Sequence, residues 1–154
     1  MLKTPITLID YQPQWQDSLI RMWRESFEFG VGIIDPHPIS AQVGYFQAEI
    51  IPKNTVRCAF FEDQLVGFVA ASPDSVAQLH VRLSFHRLGI GSYMLDWAKI
   101  QSSGSLWLYT FARNSVAQAF YERHGFRVVE RGHEPTWKLD DIKYAWSAAV
   151  TNAV

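Results

Sequence analysis

Two glycines one residue apart, Gly89 and Gly91, stand where a strand-like run gives way to a helical one. The first turn of a helix carries N–H groups without intrahelical acceptors, and the positive end of the helix dipole lies there. Glycine at that point lets an anion come up against bare backbone. The stretch Leu79-His80-Val81-Arg82-Leu83-Ser84-Phe85-His86-Arg87-Leu88-Gly89-Ile90-Gly91 therefore has the makings of a phosphate cradle. A dinucleotide fingerprint needs a third glycine, and Met94 holds that place. A Walker A loop needs Gly-Lys-Ser/Thr, whereas Gly91 is followed by Ser92-Tyr93. Gly-x-Gly also recurs by chance in turns that bind nothing. On this segment alone the ligand-free turn is the favoured reading.

The elements around it follow from periodicity. Ile6 to Ile9 reads as a short strand, and Trp15, Leu19, Met22, Trp23 and Phe27 recur at helical spacing. Gly30, Gly32, Pro36 and Pro38 break the pattern, and Ser40 is placed to cap a short helix through Phe46. Thr55 to Phe61 and Leu65 to Ala71 flank the polar turn Glu62-Asp63-Gln64, a hairpin signal, and Val76 to Leu83 extends the meander. Ile90, Met94, Trp97 and Ala98 share one helical face, and Gly104 closes that helix. Leu106 to Phe111 is the next strand. A helix from Asn114 follows, with Ala117, Phe120, Tyr121 and His124 on one side, and Gly125 ends it. Phe126 to Val129 and Ile142 to Trp146 are the last strands, and Ser147 to Val154 is expected to fray. The order β-α-α-β-β-β-α-β-α-β-β implies an α/β domain with a mixed sheet and helices on both faces.

A chain of 154 residues without repeat or linker reads as one domain, 1–154. It is long enough to bury roughly 70% of its unfolded surface. With 48% hydrophobic and 19% charged residues the composition is globular. A net charge of −1 without basic clusters argues against nucleic acid or an anionic membrane as partner. Cys58 is the sole cysteine, in the apolar run Val56 to Phe61, so it reads as a buried thiol. The His and acidic residues show no metal-ligand spacing. The N-terminus has no signal-peptide h-region, and no apolar run approaches the ~18 residues of a membrane span. A cytoplasmic protein is the expectation.

A second segment changes the reading of the glycine turn. Asn114, Ala117, Phe120-Tyr121 and Gly125-Phe126 stand on the following strand–helix–strand step. The two segments together resemble the GCN5-related N-acetyltransferase (GNAT) superfamily. That family carries Gln/Arg-x-x-Gly-x-Gly/Ala after its fourth strand and then Asn, Ala, Phe-Tyr and Gly-Phe at this spacing. The resemblance implies a GNAT-like fold, with a central, mostly antiparallel sheet of six to seven strands flanked by about four helices. It also implies acetyl-CoA as co-substrate and no metal.

Carried over residue by residue, the resemblance puts the pantetheine arm along the backbone of Leu79, His80 and Val81. The pyrophosphate would lie on the N–H groups of Arg87, Leu88, Gly89, Ile90 and Gly91, with Ser92 adding its hydroxyl and Arg87 its charge. Asn114 would hydrogen-bond the pantetheine from across the cleft. Tyr121 takes the place of the family's general acid, and the oxyanion would meet an N–H near Val81.

This chain departs from the family at three places. His86 stands where Gln or Arg is usual, so a phosphate contact there becomes weaker or pH-sensitive. Arg82 and Leu83 replace a frequent acidic-Pro pair. Tyr109 occupies the place of the Glu that some members use as general base. Candidates for that base are His80, beside the thioester, and Glu28, Asp35, His37, His133 and Glu134. These five lie in the 30–38 and 131–138 regions or beside them, which in the family wall the acceptor side.

The main expectation is an N-acetyltransferase that joins acetyl-CoA and a primary amine, of a small molecule or a peptide, by direct attack in a ternary complex. The alternative is a catalytically weak acyl-CoA-binding or regulatory module of the same fold, for which Tyr109 and His86 are the best support. A nucleotide-binding structural protein rests on the glycine turn alone. A homodimer is a candidate assembly because dimers are common in the family.

Overall fold

The structure, a computed structural model, describes residues 5–148. The elements are β1 (Thr7–Asp10), α1 (Gln16–Val31), α2 (Ile39–Tyr45), β2 (Thr55–Phe61), β3 (Gln64–Ala71), β4 (Val76–Val81), α3 (Ile90–Gln101), β5 (Ser105–Phe111), α4 (Ser115–Arg123), β6 (Arg127–Glu134) and β7 (Leu139–Ser147). This is the element order expected from the sequence. Short 3-10 turns at Pro13–Trp15 and Leu83–Phe85 and a π turn at Phe46–Ile50 complete the backbone.

The strands form two antiparallel sheets, ordered β1-β2-β3-β4 and β5-β7-β6. They meet at one parallel bridge, Ser75↔Trp107, where Trp107 N–H donates to Asp74 O at 3.0 Å. The mixed character of the sheet resides in this single contact.

β3 is buried along nearly its whole length, which explains its unbroken apolar run. Its Leu65, Phe68 and Ala70 pack with Leu19, Met22, Trp23 and Phe46 on one face. Val66 and Val69 pack with Ile90, Met94, Leu95, Tyr121 and Tyr144 on the other. Each such buried aliphatic or aromatic side chain contributes about 1.5–3 kcal/mol through area removed from water.

Several expected boundaries move. β4 stops at Val81, because Leu83–Phe85 turns into the glycine loop as a 3-10 segment. The residue before α2 is Pro38 rather than Ser40, and no side chain caps that helix. The 131–138 loop is largely strand: the β6–β7 ladder runs from Arg131↔Ile142 to Glu134↔Leu139, leaving a turn at 135–138. The polar residues of this segment hid the strand, since β6 is exposed on both faces along nearly its whole length. Ser147 pairs with Ser105 and Ala148 N–H donates to Gly104 O at 2.8 Å, so the first two residues of the expected frayed tail are anchored. The rest of that tail, 149–154, lies outside the described residues.

Candidate active site

Beyond the Ser75↔Trp107 bridge β4 and β5 part, each held by its own sheet. Counting in parallel register from the bridge, Leu79 stands level with Phe111 and Val81 with Arg113. The facing edges of the two strands there have no ladder partners among the described residues. Helix α1 bridges the gap on one face. Ser26 Oγ lies 2.9 Å from His80 Nδ1 on β4, while the neighbouring Phe27 ring meets Phe111 of β5 at 6.0 Å. Arg113 Nε donates to Val31 O at 2.9 Å and ties the far side of the gap to the end of α1.

On the other face the gap ends at the start of α3. Arg87 (φ 64°) and Gly89 (φ 85°) are both left-handed, a conformation that costs Arg87 about 1 kcal/mol and Gly89 little. The backbone N–H groups of Arg87, Leu88 and Gly89 have no backbone acceptor among the described residues. Helix geometry frees those of Ile90, Gly91 and Ser92 as well. Six successive N–H groups at a positive dipole end make an anion cradle. A Cβ on Gly91 would stand 3.2 Å from Phe120 Cε1 and Cζ and 3.7 Å from Val81 Cγ2, so this glycine sets how closely α3, α4 and β4 approach.

Two side chains expected to reach a phosphate are committed elsewhere. His86 Nε2 is 3.0 Å from Val81 O, and its ring meets Phe29 edge-on. With Arg82 N–H donating to Val66 O at 2.8 Å, the 81–82 peptide is held at both ends. Ser92 Oγ pairs with His124 Nε2 at 3.0 Å and joins α3 to α4. Ile90 is a core residue, 1% exposed, and offers only its backbone. Arg87 is exposed and forms no ion pair among the described residues.

Tyr121 packs among Phe120, Phe126 and Tyr144 and is 8% exposed. Its hydroxyl makes no hydrogen bond among the described residues, yet it is not one of the sealed, unpartnered polar atoms, so it keeps an opening to solvent. Desolvation raises its pKa above the phenol value of 10.0. Asn114 caps α4, with Oδ1 accepting from Ala117 N–H at 3.0 Å. Only its amide NH2 remains for a ligand, and that group lies against Gly30. Asn114→Ala is expected to lower unfolding free energy by about 1 kcal/mol in urea titration. An unchanged midpoint would show the cap to be dispensable.

His80 is stacked on Phe68 and tilted against Trp23. Nε2 lies 2.8 Å from Gln78 Oε1, and the network is satisfied by the Nε2–H tautomer, with Nδ1 accepting from Ser26. Desolvation pushes its pKa down to about 3. Cys58 is fully buried, its thiol pushed up to about 12 by the same cause.

The other candidate bases divide. Tyr109 is 53% exposed on the α1 face of β5, with Lys143 Nζ 5.8 Å from its ring centroid. His133 and Asp140 form an exposed pair at 2.9 Å. Glu134 accepts from Trp137 N–H at 2.6 Å, and Glu28 accepts from Asp35 N–H at 2.8 Å. Asp35 and His37 are joined at 2.9 Å under Arg24, which donates to the carbonyls of Asp35 and His37. Arg24 and Ser26 escaped the sequence reading. Their only sequence signal is a polar residue beside an apolar helical stripe, which names no partner.

Two parallel strands that part after one bridge, with a row of N–H groups at the start of the following helix, define an acetyltransferase-type fold. Residues 52–128 match the family model for the acetyltransferase (GNAT) domain, and the chain belongs to that family. Its fold is similar to that of apo-form YjaB from Escherichia coli (TM-score 0.78, 18% identity, covering 94% of this chain and 99% of that one). It is also similar to the PaiA N-acetyltransferase from Thermoplasma acidophilum in complex with coenzyme A (0.70, 19%, 93% and 99%). The ribosomal-protein-S18-alanine N-acetyltransferase from Escherichia coli is a third likeness (0.70, 16%, 97% and 99%). At these identities the likeness concerns the fold. No curated protein sequence matches the chain. No helix of the described residues is long and apolar enough to cross a membrane.

Proposed function

We propose that the chain is a cytoplasmic N-acetyltransferase that moves an acetyl group from acetyl-CoA to a primary amine by direct attack in a ternary complex. The observation that carries this reading is the row of free N–H groups from Arg87 to Ser92 at the mouth of the β4–β5 gap. The pyrophosphate would take the cradle, with Arg87 adding its charge. The pantetheine would run along the unpaired edge at Leu79, His80 and Val81 as an added strand. A neighbour of this fold was solved in complex with coenzyme A, which supports the choice of ligand.

In the chemistry, the amine nitrogen attacks the thioester carbon and the C–S bond breaks with its electron pair on sulfur. Tyr121, kept protonated by desolvation, is the proton donor to that sulfur. A backbone N–H near Val81 would face the oxyanion, and the doubly held 81–82 peptide keeps that strand end in place. Cys58, buried with a pKa of about 12, is unsuited to an acyl-enzyme, which supports direct attack. His80 is an orienting residue rather than the base. Desolvation disfavours its protonated form, which weakens it as an acceptor for an ammonium proton.

Calorimetric titration tests the reading. Acetyl-CoA and CoA are expected to bind with micromolar affinity, and NAD and ATP not at all. A protein that ignores both CoA species overturns the proposal. Tight NAD or ATP binding without CoA would instead favour a nucleotide-binding protein.

A further inference from the structure

An aliphatic amine near pKa 10.4 is neutral in only about one molecule per thousand at pH 7, so direct attack needs a proton acceptor on the amine side of the gap. Tyr109, where some family members have Glu, is a phenol on an exposed strand face. On the loop between α1 and α2, however, a histidine is held in one tautomer. We infer that Asp35 and His37 form a base dyad that removes the proton from the acceptor ammonium. This inference rests on the acetyltransferase reading above.

The Asp35 carboxylate is 8% exposed. Its Oδ1 accepts from His37 N–H at 2.8 Å and from His37 Nδ1 at 2.9 Å. With Nδ1–H donated to the carboxylate, the lone pair of His37 is on Nε2, which has no protein partner among the described residues. The side chain is 40% exposed, so this nitrogen is open to a substrate. The carboxylate is fixed in turn: Asp35 N–H donates to Glu28 Oε2 at 2.8 Å, and Arg24 Nη2 lies 3.6 Å from Oδ1. Arg24 also donates to Asp35 O at 3.0 Å and to His37 O. Four polar groups thus hold a short loop segment that includes Pro36 and Pro38. The charged neighbours of the imidazole are Asp35 on its own loop and Arg24 and Glu28 from α1.

Position agrees with the role. The His37 ring meets Trp137 at 4.6 Å, and Trp137 meets Phe27 at 4.7 Å and Phe111 at 6.2 Å. Phe27 follows Ser26, which bonds His80 on β4, and Phe111 is level with Leu79 across the gap. Trp137 therefore packs between His37 and the Phe27–Phe111 pair beside the gap.

Protons balance along this route. The ammonium gives one proton to His37 Nε2, directly or through one water, and the freed nitrogen forms the N–C bond. The C–S bond breaks, sulfur takes the Tyr121 proton, and the second proton of the attacking nitrogen refills the tyrosine oxygen. The imidazolium returns its proton to solvent.

The test compares His37→Gln with the wild type on two small nucleophiles, ethylamine and hydroxylamine, following release of CoA thiol. Ethylamine is almost wholly protonated at pH 7, whereas hydroxylamine is mostly neutral and needs no base before attack. His37→Gln is expected to lower kcat/KM for ethylamine about 100-fold and for hydroxylamine by less than about 3-fold, with unchanged acetyl-CoA affinity. Asp35→Asn is expected to move in the same direction by a smaller factor. Equal losses on both nucleophiles would assign the pair to loop structure, and no loss on either would remove it from the reaction. If Nε2 is the base, added imidazole restores part of the ethylamine rate in His37→Gly. A wild type that binds acetyl-CoA yet acetylates neither nucleophile sinks the acetyltransferase reading and the dyad with it. Active wild type with an unaffected His37→Gln protein sinks the dyad alone.

Discussion

Replacing Tyr121 by Phe is expected to lower kcat about 100-fold or more while leaving acetyl-CoA affinity within about 2-fold. The ring stays: Phe fills the same pocket among Phe120, Phe126 and Tyr144, so packing changes by a single oxygen. That oxygen makes no hydrogen bond among the described residues, so its removal leaves no partner there unsatisfied and stability should hold. What disappears is the proton for the departing sulfur, an interaction made in the transition state and absent from the bound ground state. The pH profile follows from the sign of the shift. Burial favours the neutral phenol, so its folded pKa lies above 10.0 and the donor stays loaded through the neutral range. Wild-type kcat should therefore lose no activity to Tyr121 ionisation below about pH 10. Acetyl-CoA binding kept together with turnover kept in Tyr121→Phe would remove the tyrosine from the chemistry. The alternative of an acyl-CoA-binding or regulatory module corresponds to a wild type that binds acetyl-CoA and turns over no amine.

Gly91→Leu is expected to weaken acetyl-CoA binding about 100-fold, because over-packing here costs roughly 1–3 kcal/mol and falls on the binding site itself. A Cβ alone would stand 3.2 Å from the Phe120 ring, already tight, and the rest of a leucine has to displace that ring or Val81. Phe120 is 5.1 Å from Tyr121, so the displacement reaches the proton donor as well as the cradle. Gly89→Ala is the informative companion. A Cβ there meets nothing within 4 Å among the described residues, so that variant bears only the cost of a left-handed alanine, about 1–2 kcal/mol of stability. Binding should suffer far more from Gly91→Leu than from Gly89→Ala. Equal effects would mean that loop strain rather than helix spacing governs the cradle. A thermal melt of each variant separates loss of binding from loss of fold.

The order of strands and helices was legible because local periodicity encodes it. Alternation and 3.6-residue spacing depend only on which side of an element is buried, and the apolar stripe of α1 and the run of β3 declare that without reference to partners. The turn into α3 was legible too, since left-handed backbone and close approach are properties that glycine advertises at Gly89 and Gly91. Tyr121 was named through resemblance, and the structure adds the burial that keeps it protonated.

Other assignments depended on contacts between residues far apart in the chain. His86 turned back to Val81 O and Ser92 to His124, partners that no local pattern names. His80 met Ser26, 54 residues away, and desolvation lowers its pKa to about 3. Arg24 met Asp35 and His37 only because α1 ends in a loop that folds back on it. By itself the sequence determined the backbone's elements and the glycine turn that starts α3, because both are local properties of a few consecutive residues. Only the tertiary structure decided which polar side chains remain available, because each hydrogen-bonding group has few partners to make and packing chooses among all those within reach.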